Sequence, residues 1–219
     1  MRKLLLILVA GLSVLGIGVA ISSALESKDV WSPAGAQFKA DSKDSVFTVG
    51  TGAEKIEDHC FLFQVKGRTP GKQGKFADQQ KIGIGVPTFT NCTIGGTTAN
   101  ETNGEWKLEL HSQGMTAAQE KECEESSEGQ FNRATEDDDC VTITIPKAGA
   151  KVEVPGVCTI TIAPVAPFSL TDYYDDELGI IKDQQPAIPI STTGSFCPNA
   201  TTAQFKASFG VNPIITDDE

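Results

Sequence analysis

Six cysteines and two histidines hold most of the reactive chemistry in this chain of 219 residues: Cys60, Cys92, Cys123, Cys140, Cys158 and Cys197, with His59 and His111. No two cysteines stand in a CxxC spacing and no HExxH occurs. The ligand spacing of a structural zinc site and the paired thiols of a redox centre are therefore both absent. An even number of cysteines behind an export-type N-terminus is instead the footing of a disulfide framework. Sequential pairing, Cys60 with Cys92, Cys123 with Cys140 and Cys158 with Cys197, closes the ends of contiguous segments and is the expected connectivity. A hydrolytic triad needs a histidine base set against an activated nucleophile. His59 abuts Cys60, His111 follows the run WKLEL, and no GxSxG turn presents a serine to either. Both read as partly exposed strand-end residues.

Carboxylates concentrate in two runs: EDDD, holding Glu136, Asp137, Asp138 and Asp139, and DYYDDE, holding Asp172, Asp175, Asp176 and Glu177. Calcium takes several oxygens from flexible segments, which makes these residues calcium candidates. Neither run has the EF-hand order of alternating acids, glycine and a distant glutamate. Solvated clusters are the commoner outcome in an acidic chain, so the expectation is no cofactor, with calcium the one candidate. Paired carboxylates also serve glycosidases, but those must face one another across a cleft. Tyr173 and Tyr174, with Phe168, offer either a sugar-stacking surface or a plug for the end of a sandwich. Asn91, Asn100 and Asn199 head N-x-Thr acceptor triplets.

The elements that must position these groups read as β. Runs at 45–51, 60–65, 81–89, 106–112, 140–146, 150–156, 158–164, 187–192 and 203–211 are short and rich in β-branched and aromatic residues, and Gly, Pro, Asn and Asp punctuate the gaps. In CVTITIP, Val141, Ile143 and Ile145 share one face and Thr142 and Thr144 the other, the period of a strand with one side in a core. Met115 to Cys123 is the best helical candidate, but it carries no apolar stripe and reads as part of a solvated acidic insertion near 113–139. Seven to nine short strands fit an all-β domain, an antiparallel β-sandwich or Greek-key barrel-like fold stabilised by disulfides.

The N-terminus, MRKLLLILVAGLSVLGIGVAISSALES, has a basic start at Arg2 and Lys3, an apolar run and small residues after it, the layout of a signal peptide over 1–24. Cleavage is expected after Ala24, with Ala20 the alternative site. Retention as an anchor is the competing outcome, since the run is close to the roughly 17-residue lower limit for a span. An irregular leader over 25–44, in which Trp31 docks on the core, then precedes a single β-domain over 45–219. No second apolar run of spanning length occurs, so no stable membrane span is expected after cleavage. The formal net charge is −11, and loss of Arg2 and Lys3 makes the remainder more acidic. Such a polyanion is repelled by nucleic acid and by anionic membranes.

In order along the chain, PTFTNCT, TNGEWKLEL, VTITIPKAGAKV, CTITIAP and FCPNATTAQFKASFGVNP resemble a set of secreted, β-rich actinobacterial proteins of unknown function, marked by an IPKAGA-like segment, a CTITVAP-like strand and a CP-containing turn. The resemblance spans most of the mature chain and implies export and a β-fold. The expected function is a secreted, non-enzymatic domain with a binding or structural role toward an extracellular or envelope ligand. The alternatives are an extracellular hydrolase using the clustered carboxylates and a calcium-dependent adhesin.

Overall fold

The structure is a computed structural model, and it describes residues 30–71, 75–94, 96–99, 104–131 and 138–218. The segment over 1–24, expected as a signal peptide, lies outside the described residues. The strands are β1 (Val30–Ser32), β2 (Gln37–Ser42), β3 (Ser45–Val49), β4 (Ile56–Arg68), β5 (Phe76–Ala77), β6 (Ile82–Gly85), β7 (Thr88–Cys92), β8 (Gly96–Ala99) and β9 (Trp106–His111). Helix α1 (Ala117–Ser126) follows, then β10 (Asp138–Ile145), β11 (Ala150–Val154), β12 (Cys158–Ile162), β13 (Phe168–Asp175), β14 (Ile180–Thr193), β15 (Thr202–Asn212) and β16 (Thr216–Asp218). The chain is all-β, and every strand pairing among the described residues is antiparallel. Strands outnumber the expected seven to nine: β1, β5, β8 and β16 span only two to four residues, too short to show a period, and β2 and β13 are longer strands whose polar and charged residues hid them.

The large sheet runs β2-β4-β3-β15-β14-β13-β10-β9-β6, and β8, β11 and β12 join it through β14. Three long strands hold the faces together: β4, with 13 residues, β14, with 14, and β15, with 11. β14 changes partner along its length. Ile180 to Lys182 pair with β13, and Ile190 to Thr193 pair with β12, while β15 follows it from Ile180 to Pro189 with a register shift between Gln185 and Ile188. Pro186 falls in that shift. It has no N–H to place in a ladder, so the strand bends there at little cost in hydrogen bonds and passes from one face to the other. This partner exchange opens a seam between β13 and β14, where the site described below lies.

The inward set of each strand follows the alternation of the sequence. Ile160 and Ile162 on β12 are buried, and so are Val141 and Ile145 on β10. Thr142, on the opposite face of β10, is buried as well, because α1 covers that face. The helix is a correction to the solvated loop expected there. Its start is set by a capping box: the Thr116 hydroxyl accepts the Gln119 N–H at 3.3 Å and the Gln119 side chain accepts the Thr116 N–H at 3.0 Å. Its inner face is polar. Glu122 accepts the N–H of Thr171 at 3.1 Å and the Ser126 hydroxyl accepts that of Tyr173 at 2.7 Å, so the helix satisfies strand donors at the seam. An apolar stripe is the wrong signal for a helix docked by hydrogen bonds and a disulfide.

The bridges are Cys60–Cys92, Cys123–Cys140 and Cys158–Cys197, the sequential connectivity, and no cysteine is free. The first joins residues directly opposite one another on β4 and β7. The second fastens α1 to β10, and the third fastens the head of β12 to the β14–β15 connection. The segment expected as an irregular leader over 25–44 is also corrected. Val30–Ser32 pairs with β16 and β5, and Gln37–Ser42 pairs with β4 and β15. Charge, Gly and Pro masked strands that gain their partners from distant chain. Trp31 docks as expected: it is fully buried, donates from Nε1 to Asp78 Oδ1 at 3.0 Å, and lies 6.3 Å from the Tyr174 ring. Trp31→Ala is expected to cost about 3–5 kcal/mol, read as a fall of roughly 6–20 °C in Tm. A variant melting within about 2 °C of the parent would exclude β1 from the cooperative core.

Candidate functional site

Among the described residues, the clustered carboxylates do not converge on a shared site. Glu136 and Asp137, and the side chain of Asp138, lie outside the described residues, while the Asp138 backbone pairs with Asp175 at the start of β10. Asp139 is buried opposite Tyr174. Asp175 Oδ1 accepts the N–H of Leu178 at 2.8 Å, Asp176 Oδ2 accepts that of Asp217 at 3.2 Å, and Glu177 is exposed. Asp172, expected on a loop, is fully buried on β13. Among the described residues, one group of His, Cys, Asp or Glu brings three ligand atoms together, Asp58 with Cys60 and Cys92, and its sulfurs are bonded to each other. Tyr173 and Tyr174 are buried plugs rather than a stacking surface. The Tyr174 hydroxyl donates to the Ile215 carbonyl at 2.6 Å and accepts its N–H at 3.1 Å.

The histidines divide by burial. His59 is partly exposed beside Glu57 Oε1 at 2.8 Å and Asp44, and the hydrogen bond to Glu57 raises its pKa. His111 is buried, against the strand-end exposure expected for it, and desolvation pushes its pKa down so that it is held neutral. Its Nε2 lies 2.9 Å from Thr142 Oγ1, which also meets Thr171 Oγ1 at 3.0 Å and receives the Gln119 amide at 3.3 Å. With three partners, and α1 above it, Thr142 is part of a packed polar clamp and presents no open face to a substrate.

A different pair of carboxyls forms the strongest constellation. Asp172 on β13 and Asp183 on β14 meet at the seam inside the fold, both buried and in hydrogen-bond contact. The Gln185 amide donates to Asp172 Oδ1 at 2.7 Å. Counted as two carboxylates, they leave Asp172 Oδ2 and Asp183 Oδ1 with no donor. A proton held between the two groups supplies one. Burial is the main force lifting both pKa values; the Asp183 charge raises Asp172 further, and Asp183 itself is pushed up to about 8. Both carboxyls are therefore held toward the protonated, uncharged form at neutral pH. Carboxyls in direct contact leave no room for a sugar, since retaining and inverting glycosidases need separations of about 5 Å and upward.

Asp183 also lines an interior cavity of ≈ 70 Å³ between the faces. Six aromatic rings shape it: Phe47, Phe63, Phe89, Trp106, Phe205 and Phe209. Phe63 is their hub, 4.4 Å from Phe89, 4.9 Å from Phe209 and 5.9 Å from Phe205, with Trp106 edge-on at 6.4 Å. The polar lining comes from Ser45, Asp58 and Asp183. Ser45 donates to the Cys60 carbonyl at 3.2 Å, and Asp58 Oδ1 accepts the Ile94 N–H at 3.1 Å. The buried Trp106 Nε1–H has no acceptor among the described residues. Asp183, Gln185 and Trp106 carry no motif. The available signal was alternation: Ile181, Asp183 and Gln185 occupy successive inward positions, which places a carboxyl in a core register.

Comparison of the chain with protein-family models, with curated proteins and with solved structures finds no match.

Proposed function

We propose that this is a secreted, non-enzymatic β-domain with a binding or structural role at the cell envelope or in the extracellular space. One observation carries the compartment: all six cysteines are consumed in three bridges across the sheets, a pattern that belongs to oxidising surroundings. The basic, apolar and small-residue order of 1–24 and the resemblance to exported actinobacterial proteins support the same reading, and no helix among the described residues is long and apolar enough to cross a membrane. The non-enzymatic part rests on the engaged state of the candidate bases. His111 is locked to Thr142, His59 is held by Glu57, and the buried carboxyl pair is occupied with itself. A rigid, crosslinked frame around a preformed apolar cavity is the usual setting for binding.

Protein recovered from the medium of the producing cells is expected to begin after Ala24 or Ala20 and to show no free thiol when titrated in denaturant without reductant. The mature chain is expected to turn over none of a panel of glycans, esters and peptides. Turnover abolished by Asp139→Asn or Asp175→Asn would replace the binding reading with a hydrolase. A Tm raised by millimolar calcium and restored by EDTA would replace it with a calcium-dependent adhesin.

A further inference from the structure

We infer that the interior cavity is a binding site for a small, mostly apolar, uncharged molecule with one hydrogen-bonding head, received by the Trp106 indole N–H and the Asp183 carboxyl. The inference rests on the binding reading above and names the ligand class. Three observations carry it. The lining is apolar and aromatic, so it favours a hydrocarbon body and does not order water on most of its wall. Trp106 is buried and its N–H finds no acceptor among the described residues; such a donor is costly in an apolar surround, and an acceptor on a ligand removes the cost. Asp183 borders the same space and places a buried carboxyl on its wall.

These features set the ligand's chemistry. A hydroxyl or amide suits the site because it accepts from the indole and donates to a carboxyl. A carboxylate is excluded, since it would bring an unpaired negative charge into a space of low polarity. At roughly 10–15 Å³ for each water-sized group, the volume admits a compact molecule of about five to seven such groups. Phe89, Ile143 and Phe205 are half-buried lining residues, so the space lies a single side chain from solvent.

The test uses the mature, oxidised chain with methyl-labelled Leu and Ile and three probes: cyclopentanol, cyclopentane and cyclopentanecarboxylate. Cyclopentanol is expected to bind saturably, shifting methyl signals of Leu108, Ile143, Ile181 and Ile188 and moving the Trp106 indole proton downfield. Cyclopentane is expected to shift the methyls and leave the indole proton in place, and the carboxylate to shift neither. In Trp106→Phe, cyclopentanol should weaken roughly fivefold, the loss of one neutral hydrogen bond, while cyclopentane is unchanged. The indole shift in the parent chain decides the matter even if that variant does not fold. The inference is overturned if no probe reaches these methyls, if the carboxylate binds like the alcohol, or if the alcohol binds without moving the indole proton. The same holds if a crystal soaked in cyclopentanol shows only water in the cavity. Each of those results leaves a surface-binding role intact, whereas enzymatic turnover would remove the binding reading itself.

Discussion

Asp183→Asn is expected to raise the melting temperature by about 5–10 °C at pH 8.5, to change little at pH 4, and to flatten the pH profile between them. The sign follows from where the proton sits. An unfolded aspartate releases its proton near pH 3.9, whereas burial at the seam keeps Asp183 protonated up to about pH 8 and holds the Asp172 carboxyl well above its ordinary range. Across that window the folded chain binds more protons than the unfolded one, so stability falls as pH rises. The contribution is complete below the unfolded value and lost by the time pH passes the folded one. With each pH unit of that window worth at most about 1.4 kcal/mol, a loss on the order of 3–5 kcal/mol is at stake. The asparagine amide donates to Asp172 at any pH, and so removes the requirement for the proton. Scanning calorimetry of parent and variant from pH 4 to pH 9 is the measurement, and parallel profiles would sink the shared proton. His111 works in the opposite sense. Its depressed pKa means that its contribution is present above about pH 6.5 and lost as pH falls through the folded value. The parent should therefore be most stable in mildly acidic solution.

Removing the Cys158–Cys197 bridge by double substitution to alanine should be as damaging as any change in the sheets. The bridge closes a separation of 39 residues, and the chain-entropy relation gives about 4 kcal/mol for a loop of that length, against about 3 kcal/mol for the 17 residues closed by Cys123–Cys140. The larger figure is reinforced by position. Cys158 is buried at the head of β12, which is held by β11 on one side and the bent end of β14 on the other. Loss of the bridge frees the β14–β15 connection just where β14 has exchanged partners. Equilibrium unfolding in urea should show a midpoint lowered with little change in slope. The Cys123/Cys140 double variant should instead act locally: α1 detaches from β10, and amide exchange rises first at Thr171 and Tyr173, whose N–H groups the helix holds. A fully reduced parent that melts with the oxidised one would show that the bridges contribute nothing to the fold.

Much of the frame was legible because it is local or nearly so. Period-two alternation in CVTITIP and CTITIAP placed the correct residues in the core, since a strand alternates its faces whatever its partner. An even number of cysteines along an exported-type chain pointed to the three bridges. Trp31 could be assigned to the core from its type alone, although its strand could not, because β1 exists only through pairing with β5 and β16, far along the chain. Helix α1 was hidden for a related reason: its inner face meets backbone donors at a seam, and polarity that reads as solvation in a sequence is hydrogen bonding in the fold.

The sequence by itself determined an all-β, disulfide-crosslinked chain and the inward set of most of its strands, because side-chain period, turn residues and cysteine parity are properties of neighbouring positions. Tertiary structure alone decided which carboxyls matter. Acids close together in DYYDDE turn to different partners, Asp175 to the Leu178 N–H and Asp176 to that of Asp217, while Asp172 and Asp183, on separate strands, are brought together by the β13–β14 register. Contact between distant residues depends on how two strands pair and part, and no single stretch of chain contains that information.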